Sequence, residues 1–351
     1  MDAMTIGVDL AKNTFEVVMR PGVAGSMTRR RFTRSQFERF LRSHRPAHVV
    51  MEACGTAHHW ARVAQSCGHR VSLLPPQAVR PYVSFHRKTD HTDACGLLEA
   101  VRNPRIHPVV PKTVAQQELL ALHRIRRQWM TSRTARINAV RGFLQELGLP
   151  IARGAHTACV TAAARLADPA TPIPARLRTM LELLLVEIRD LEARVQMIDR
   201  QLAHVATTDP VVQRLLRIPG IGLLIATTFV ASVGHIHAFQ SGRRFASWIG
   251  LTPREHSSAT RRRLGAISKA GDVYLRMLLT HGARSALRAA QHHRRCGRSL
   301  TPLQTWALDV AQRRGYNKAT VALANKLARI VWVVWSREVE FSAEPSRTEA
   351  A

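Results

Sequence analysis

The sequence predicts an α/β domain at the amino terminus, a long helical middle region and a mostly α-helical carboxy-terminal domain. Short apolar runs of strand length alternate with helical patterns in the first part of the chain. In the middle, apolar residues recur at steps of three and four, which is typical of paired helices. A chain of 351 residues is long for one compact unit, so we expect several domains. The expected boundaries are 1–112, 113–205 and 206–335, with a tail over 336–351.

The amino-terminal domain is expected to begin with three strands, a helix and a fourth strand. Thr5–Leu10 and Thr14–Met19 have the pattern of strands joined by a short polar turn, and Arg30–Thr33 supplies a third. The apolar run His48–Met51 ends on Glu52 and is typical of a buried central strand. The other elements expected here are helices over Ser35–Ser43, Thr56–Cys67 and Asp90–Arg102, and a strand over Arg70–Leu74.

Two long helices are expected in the middle region. Gln116–Leu147 is basic and helical, and Pro169, Pro172 and Pro174 separate it from a second helix. Apolar residues of the second helix keep alternating steps of four and three, the seam of a coiled coil. The members of this seam are Leu177, Leu181, Leu184, Ile188, Leu191, Val195, Ile198 and Leu202. The seam pairs either with the other long helix or with a second chain, and a helix buried within one domain is the simpler alternative.

A short turn containing glycine joins two helices at the start of the carboxy-terminal domain. Helices are expected over Val211–Arg217 and Leu223–Val233, and Ile218–Gly222 connects them as in a helix-hairpin-helix element. The N–H groups of such a turn, here at Gly220 and Gly222, are suited to binding a phosphate. A Pro-Gly turn is also common in ordinary helix packing. Further helices are expected over Asp272–Arg288 and on to Trp335, and the polar tail Ser336–Ala351 is expected to be disordered.

The charge of the chain indicates a polyanionic partner. Lys and Arg number 52 against 24 Asp and Glu, a formal net charge of +28 that would repel itself unless a polyanion neutralised it. Only six of the basic residues are lysines, and arginine offers the fork that suits phosphate and guanine. A GC-rich genome would also favour arginine over lysine, but it would not favour bases over acids. Nucleic acid is therefore the expected partner.

The cysteine and hydropathy patterns argue against several other classes of protein. The five cysteines show no paired spacing, so neither a disulfide framework nor a zinc site is indicated. The longest late apolar run, Ile330–Trp335, is far shorter than the ~20 residues that span a bilayer. The amino terminus lacks a basic segment followed by an apolar leader. We therefore expect a soluble cytoplasmic protein without a membrane partner.

Four acidic residues have the placement of metal ligands. Asp9 and Glu52 each end an apolar run, where a carboxylate is costly unless a cation or hydrogen bonds compensate it. Asp90 and Asp93 are three residues apart and share one face of the expected helix. The four together would make a hard oxygen cage for Mg²⁺, and two ions roughly 3.5–4 Å apart would hold both reacting oxygens of a phosphodiester. Each acid taken alone is equally well explained as a capping or surface residue.

Two sets of motifs resemble those of the DEDD transposases of bacterial insertion sequences. The amino-terminal set is Val8–Lys12, Met51–Gly55 and Lys88–Ala94. The carboxy-terminal set is Ile218–Gly222, Phe245–Arg254, His256–Ser258 and Ile267–Arg276. The resemblance covers nearly the whole chain. It implies an α/β RNase H-like (RuvC-like) amino-terminal domain, similar to Holliday-junction resolvases, in which the four acids are catalytic.

The resemblance also implies a serine nucleophile in the carboxy-terminal domain. Its usual place is a Ser-Gly step seven residues before a glycine, which here corresponds to Ser258 before Gly265. Ala259 replaces the usual glycine of that step, so Ser257 is the alternative. The residues expected to contact nucleic acid are Gly220, Gly222, Arg261, Arg262, Arg263 and Lys269, and the arginines would also neutralise the phosphorane. A phosphate-binding loop without covalent chemistry is the alternative for this segment.

As a function, the resemblance implies transposition of an insertion sequence between double-stranded donor and target DNA. Cleavage would leave a phosphoserine linkage and a 3′-hydroxyl, and rejoining to another strand would complete recombination. The resemblance further implies a structured guide RNA that pairs with both DNAs. It also implies a homo-oligomer, either a dimer or a tetramer, working at the bacterial nucleoid. The rival interpretations are a metal-only junction resolvase, a non-catalytic nucleic-acid scaffold and a DNA invertase of the same family.

Overall fold

The computed structural model describes residues 4–22, 25–83, 89–258 and 260–343. The chain divides into two compact units, Met1–Gln117 and Glu118–Ala351. The first unit is mixed α/β and the second is mostly helical, which confirms the coarse fold class predicted from the sequence. The finer division at residues 112, 205 and 335 stays a prediction. Among the described residues, no helix is both long enough and apolar enough to cross a membrane.

The amino-terminal unit is built on a five-stranded sheet in the order β3-β2-β1-β4-β5. Its strands are β1 (Thr5–Asp9), β2 (Thr14–Arg20), β3 (Thr28–Thr33), β4 (His48–Glu52) and β5 (Arg70–Leu74). β2 is antiparallel to β1 and β3, whereas β4 is parallel to β1 and β5. The predicted order of elements along the chain is confirmed. The edge strand β3 begins at Thr28, two residues before the predicted Arg30. The prediction started too late because a run of arginines hides the apolar alternation of a strand.

Helices cover both faces of this sheet. They are α1 (Arg34–Ser43), α2 (Ala57–Ser66), α3 (Pro76–Val79) and α4 (Asp90–Ala100). On one face, Ile6 and Phe15 belong to a core that includes residues of α1 and α2. On the other face, Val18 packs with Leu98 of α4. The sheet is therefore a buried layer, and α4 lies on the face toward which alternate residues of β1 and β2 point.

Two long helices of the second unit pack against each other within one chain. The helices here are α5 (Val114–Glu146), α6 (Ala155–Ala167) and α7 (Ala175–Thr208). The ion pairs between α5 and α7 are Arg126–Asp199 at 2.6 Å, Arg133–Glu192 and Arg136–Glu187. Residue numbers rise along one helix as they fall along the other, so the two helices are antiparallel. Within one chain, the predicted seam on α7 therefore pairs with α5, while a coiled-coil geometry stays a prediction.

The buried face of α7 differs from the predicted seam at two positions, because Leu177 and Leu184 are only partly buried. Its buried residues are Leu181, Leu185, Ile188, Leu191, Val195, Ile198 and Leu202. Leu185 is 4% exposed, whereas Leu184 is only partly buried at the edge of the same cluster. The strict spacing therefore selected the wrong one of two adjacent leucines. Because Ala158, Ala162 and Leu166 of α6 join this cluster, α7 buries a wider stripe than a two-helix seam requires.

The remaining elements surround one large apolar core. They are α8 (Pro210–Leu216), α9 (Leu223–Ser232), α10 (Gly242–Trp248), β6 (Pro253–Glu255), β7 (Leu264–Ile267), α11 (Val273–Arg295), α12 (Pro302–Arg314) and α13 (Tyr316–Ser336). Asp272 is the N-cap of α11 rather than its first residue. The antiparallel hairpin β6–β7 was not predicted, because its arginine-rich sequence has no apolar alternation.

The segment after α13 is partly ordered, contrary to the predicted disordered tail. Glu338 forms an ion pair with Arg214, and Glu340 forms one with Arg217 at 2.9 Å. Phe341 packs against the core of the unit. The prediction is therefore wrong for the first residues of the tail, and residues 344–351 lie outside the described residues.

Candidate functional site

Two of the predicted acids stand at neighbouring strand ends. Asp9 is the last residue of β1, and Glu52 is the last residue of β4. These strands are parallel and pair in register up to Val8 and Met51, so the two acids occupy equivalent positions one residue further on. Successive side chains of a strand point to opposite faces. Because Val8 and Met51 belong to the core under α1 and α2, Asp9 and Glu52 point to the face that α4 covers.

The other two acids lie in the first turn of α4. Thr89 caps this helix and forms a capping box with Thr92, which fixes where the helix begins. Asp90 and Asp93 follow directly. A side chain at Gly7 would place its Cβ only 2.6 Å from the carbonyl oxygen of Ala94 in α4, so the absence of a side chain is what allows the helix to approach β1 so closely. The approach brings the start of α4 to the strand ends.

The pKa of Asp9 reflects the charges of the other three predicted acids. The pKa of Asp9 is raised from 3.8 to about 6, and burial is the largest cause. The negative charges that contribute to the same rise, in decreasing order, belong to Asp93, Asp90, Glu52 and Glu16. A carboxylate surrounded by like charges loses its proton less readily. These acids are therefore close enough to influence Asp9, while their convergence on one metal site stays a prediction.

The acids gather without forming a finished coordination shell. Within the part of the chain that the structure describes, no group of three or more His, Cys, Asp or Glu side chains is arranged to hold a metal ion. Asp93 is nevertheless suited to a cation, because its buried Oδ1 accepts no hydrogen bond from the described residues. A buried oxygen without a partner carries a desolvation cost. Carboxylate oxygens are also the donors that Mg²⁺ prefers, so the residues fit a hard divalent cation.

A fifth acid, missed by the sequence analysis, lies next to this group. Glu16 is in the middle of β2 and is only 2% exposed. It pairs across the sheet with Asp9 on one side and with Arg31 on the other. Arg29 and Arg31 both form ion pairs with it. A charged residue within the apolar strand sequence of β2 was the available signal, but its partners depend on strand register.

The predicted serines lie at the end of the β6–β7 hairpin. Ser257 Oγ donates a hydrogen bond to Glu255 Oε1 at 2.8 Å and accepts one from the backbone N–H of Arg263 at 3.1 Å. Ser258 is exposed, and its backbone pairs with that of Arg261 in both directions. No hydrogen bond to Ser258 Oγ is formed by the described residues, which exclude its neighbour Ala259. One serine is therefore held by side-chain bonds, and the other is presented at the tip.

The arginines expected to contact nucleic acid lie at the hairpin, and one of them is engaged. Arg262 donates from Nε to Glu255 Oε1 at 3.3 Å. The hydrogen bond from Ser257 is the largest influence lowering the pKa of Glu255, and the charge of Arg262 lowers it as well. Arg261 and Arg263 are exposed. Glu255 was missed by the sequence analysis because its role depends on a hairpin that the sequence did not predict.

Lys269 has an unusual backbone and a close glycine neighbour. Its φ is +55°, a backbone angle that residues other than glycine seldom adopt. Its N–H donates to the carbonyl of Gly250 at 3.1 Å. A Cβ at Gly250 would lie 2.1 Å from the carbonyl oxygen of Ala270, so this position requires glycine. Arg276 donates to the carbonyls of Ile249 and Ala270, both at 3.0 Å, and so links the motif segments Phe245–Arg254 and Ile267–Arg276.

The predicted glycine turn between α8 and α9 is also present. Gly220 has a φ of +88°, and a Cβ there would lie 2.8 Å from the carbonyl oxygen of Gly282 in α11. Gly222 is the N-cap of α9 and has open space where a Cβ would be. An open cavity of about 650 Å³ includes both glycines and His281 in its lining. Gly220 therefore serves helix packing, while Gly222 is accessible to a ligand.

Two protein-family models match the chain. One is described as "Transposase IS116/IS110/IS902 family" and matches residues 212–297, which include the hairpin serines. The other is a model for DEDD transposases of the IS110 type, described as "Transposase", and matches residues 6–149, which include the four acids. The matched ranges therefore contain both groups of candidate residues.

Several curated proteins are similar over most of their length. A Pseudomonas aeruginosa protein called "Probable family 20 transposase" is 41% identical over 96% of this chain and 98% of its own length. A Coxiella burnetii transposase for insertion sequence element IS1111A is 39% identical over 96% of this chain and 91% of its own. A more distant relative, the pilin gene-inverting protein of Moraxella bovis, is 26% identical over 74% of each chain. The similarity thus spans both units of the chain.

Proposed function

Since the chain belongs to the IS116/IS110/IS902 family of transposases, we propose that it moves an insertion sequence by means of metal-bound acids and a serine nucleophile. Family membership makes it an insertion-sequence transposase, an enzyme that binds DNA, cleaves it and transfers strands. The observation that carries the proposal is the group of carboxylates around Asp9, whose like charges oppose its ionisation. Such an arrangement is costly unless a cation compensates it.

The fold supports this proposal. We assign the amino-terminal unit to the RNase H-like (RuvC-like) class, because three antiparallel strands are followed by two parallel ones in the order β3-β2-β1-β4-β5. The boundaries at residues 112, 205 and 335 separate this domain from the helical middle and from a carboxy-terminal domain with a helix-hairpin-helix-like element at α8 and α9. Limited proteolysis should cut first near residue 112, which lies between α4 and α5, because residues 205 and 335 lie within α7 and α13.

Asp9, Glu52, Asp90 and Asp93 would hold the metal, which we propose to be Mg²⁺ with two ions per site. Their donors are all carboxylate oxygens, and the unpartnered Asp93 Oδ1 gives one of them a clear reason to bind a cation. The bound ions would supply charge stabilisation for the attacking and leaving oxygens of the phosphodiester. The strands β1 and β4 and the start of α4 keep the carboxylates together despite their repulsion.

The reaction exchanges one phosphodiester bond for another without hydrolysis. The serine Oγ forms a bond to phosphorus while the bond from phosphorus to O3′ breaks, and the serine proton ends on the 3′-oxygen. The products are a phosphoserine linkage to DNA and a free 3′-hydroxyl. The 3′-hydroxyl of another strand then attacks the phosphoserine, which joins the strands and returns a proton to the serine. Arg261 and Arg263, exposed at the hairpin, would neutralise charge on the phosphorane.

Single alanine variants test the metal-binding acids. Asp9→Ala, Glu52→Ala, Asp90→Ala and Asp93→Ala should each abolish recombination and leave nucleic-acid binding in place. The matched control is Glu38→Ala, because Glu38 is an acid of the same unit that pairs with Arg42 on the surface of α1. The control should recombine like the wild type. Near wild-type recombination in Mg²⁺ by two or more of the acid variants would contradict the assignment.

We propose Ser258 as the nucleophile and keep Ser257 as the alternative. The exposed Ser258 is presented at the hairpin tip, whereas the hydroxyl of Ser257 already bonds to Glu255 and to the backbone of Arg263. Those bonds suit a residue that shapes the turn. Ser258→Ala should give a folded protein that binds DNA but neither cleaves nor joins it. Full cleavage by this variant would contradict the choice of serine.

Gly220, Gly222, Arg261, Arg262, Arg263 and Lys269 are the proposed contacts to nucleic acid. Contacts of this kind neutralise phosphates, so affinity should fall steeply with salt. Arg261→Ala combined with Arg263→Ala should lower the slope of that dependence by about two, if each contacts one phosphate. The control is Arg313→Ala combined with Arg314→Ala, two exposed arginines at the end of α12. An equal change in both double variants would contradict the specific assignment.

A structured guide RNA is proposed as the source of sequence choice. The excess of arginine suits recognition of backbone phosphates, and base pairing between RNA and DNA would then select the donor and target. Sequencing of RNA that co-purifies with the protein should yield one dominant structured species. A random sample of cellular RNA would contradict guidance. We also propose that the protein works at the bacterial nucleoid in the cytoplasm, where its DNA lies.

A dimer or tetramer is proposed as the working form, and it requires a surface other than the predicted seam. That seam is buried against the same chain, so a polar substitution at Leu191 should unfold the helix pair. Met180, Leu183 and Val186 are 54%, 54% and 47% exposed on the opposite side of α7. Leu183→Lys with Val186→Lys should leave a folded monomer in light scattering. An unchanged oligomer would exclude this surface.

A further inference from the structure

A triad formed by the buried Glu16 and the exposed Arg29 and Arg31 lies beside the four acids on the same face of the sheet. Asp9 pairs with Glu16 across β1 and β2, and Glu16 pairs with Arg31 across β2 and β3. Residues directly opposite each other in antiparallel strands point to the same face. Arg29 lies two residues from Arg31 along β3 and therefore points the same way. The triad thus continues the row of acids toward the edge of the sheet.

Glu16 is fully engaged by the two arginines. Arg31 Nε donates to Oε2 of Glu16 at 2.8 Å, and Arg29 Nε donates to Oε1. Burial favours the neutral acid, but the hydrogen bonds from Arg29 and Arg31 outweigh it, and the pKa of Glu16 lies below its usual value. Glu16 is consequently an ionised carboxylate with both oxygens occupied. It holds the guanidinium groups rather than contributing to the metal site.

The two guanidinium groups keep free donors that face outward. Each uses its Nε–H for Glu16, and neither forms another hydrogen bond to any described residue. Their side chains are 49% and 62% exposed, whereas that of Glu16 is 1% exposed. Two positive charges against one negative charge leave a net positive group. The negative charge of Asp90 also acts on Arg29, so this positive group lies within electrostatic reach of the acid cluster.

We propose that Arg29 and Arg31 form a clamp for backbone phosphates of the DNA strand that enters the acid cluster, and that Glu16 holds the clamp in position. The proposal rests on the proposed metal-binding role of the acids. A guanidinium group offers paired donors that match a phosphate, and one held in place loses less entropy on binding. The four acids alone would repel DNA, and a neighbouring positive group offsets that repulsion where the strand approaches.

Protection of a sheet edge is the simpler explanation for charged residues on β3. That explanation applies equally to Arg30, which pairs with Val17 and so points to the opposite face. Arg30 is on the same strand, is exposed and carries the same charge. The two explanations therefore differ in whether Arg30 is equivalent to its neighbours, and Arg30→Ala is a matched control for both arginines.

The test uses the full-length protein and a labelled DNA duplex carrying the element's end. Binding is measured in Ca²⁺, a hard cation with oxygen ligands, and strand cleavage is measured separately in Mg²⁺. Arg29→Ala and Arg31→Ala should each weaken DNA binding about tenfold and lower the salt slope by about one. Arg30→Ala should stay within about twofold of the wild type. Glu16→Gln should weaken binding as well, because the arginines lose their anchor.

Each outcome separates the clamp from the proposed function. If all three arginine variants behave alike, the clamp is wrong, whether or not Asp9→Ala is inactive. If Asp9→Ala cleaves normally, the proposed function fails instead. A loss of affinity for co-purified RNA but not for DNA would overturn the assignment to a DNA strand. If the alanine variants do not fold, Arg29→Lys and Arg31→Lys replace them, since lysine keeps the charge but loses the fork, and unchanged DNA binding by both would overturn the clamp.

Discussion

The acid face of the first unit and the serine hairpin of the second hold their functional groups in opposite ways. Asp9 and Glu52 end strands of a buried sheet, and register with their neighbours fixes their positions. Ser257 and Ser258 lie on an exposed hairpin and are held by bonds to residues close in sequence. Like charges can be kept together only by a rigid framework, whereas a nucleophile needs access. The acids therefore reduce the stability of the folded protein, whereas the serines do not.

The largest effect is expected at Asp9. Asp9→Asn removes one metal ligand, so strand cleavage should be abolished. The same variant should have a higher Tm than the wild type in a chelator, because burial and neighbouring acids oppose the charge of Asp9. Comparison of Tm with and without Mg²⁺ measures both the cost of the Asp9 charge and its contribution to metal binding, since the metal should stabilise the wild type more than the variant.

The increase in Tm expected for Asp9→Asn in a chelator should depend on pH. The carboxyl loses its proton at 3.8 in the unfolded chain and at about 6 in the folded one. Between these values the folded state binds more protons, so wild-type stability falls as pH rises through the window. The Tm advantage of the variant should grow over this range and then level off. A variant that is less stable than the wild type in a chelator at about pH 7 would contradict the cost assigned to the acid face.

The second effect concerns His123, which lies in the core of the other unit. It is 1% exposed, and its Nε2 lies 3.0 Å from the hydroxyl of Thr227. Tyr274, at the start of α11, brings its hydroxyl to 3.4 Å from Nδ1. Burial is the main cause that lowers the pKa of His123 from 6.5 to about 4, and the charge of Arg126 adds to it. The histidine is therefore neutral in the folded protein near neutral pH.

His123 should make the second unit sensitive to acid, the opposite of Asp9. Between pH 6.5 and about 4, His123 is protonated in the unfolded chain but not in the folded chain, so the free energy of unfolding falls as pH falls. Over that window the loss approaches about 3 kcal/mol. His123→Gln keeps a polar side chain without the titration, so urea unfolding should show a smaller loss in the variant. Parallel losses in both proteins would contradict the role given to His123.

The smallest effect is expected at Glu255. Glu255→Ala removes the acceptor of the Ser257 hydroxyl and should slow strand cleavage about tenfold by loosening the hairpin tip. Because the hairpin is exposed, Tm should change little. Glu255→Gln keeps an acceptor and should recover most of the rate. A large fall in Tm, or equal rates for the two variants, would mean that the hairpin is not held as described.

The sequence signals that point to the acid face are local. Asp9 and Glu52 follow apolar runs, and Asp90 and Asp93 share one helical turn, so no knowledge of long-range pairing was needed. The role of Glu16 could not be predicted in the same way, since it depends on pairing with Arg31 across β2 and β3. Charge masked the start of β3, so this strand was predicted to begin at Arg30 rather than at Thr28.

The second unit was harder to predict in detail. The β6–β7 hairpin is almost wholly exposed, so its sequence has no apolar alternation that would indicate strands. Because the hairpin was not predicted, the hydrogen bond from Ser257 to Glu255 could not be predicted either. On α7, the spacing rule chose Leu184, while packing with α6 as well as α5 buried Leu185. The motifs of the sequence therefore pointed to candidate residues but not to the contacts that hold them.

The serine nucleophile is tested most directly by trapping the covalent product on a nicked DNA substrate. Wild-type protein should migrate with DNA on a denaturing gel, and mass spectrometry after digestion should place the phosphodiester on Ser258. An adduct on Ser257 would correct the position and keep the mechanism. The Ser257→Ala, Ser258→Ala double variant should give neither adduct nor cleavage. Efficient cutting by both proteins without any adduct would contradict the account and indicate hydrolysis by water.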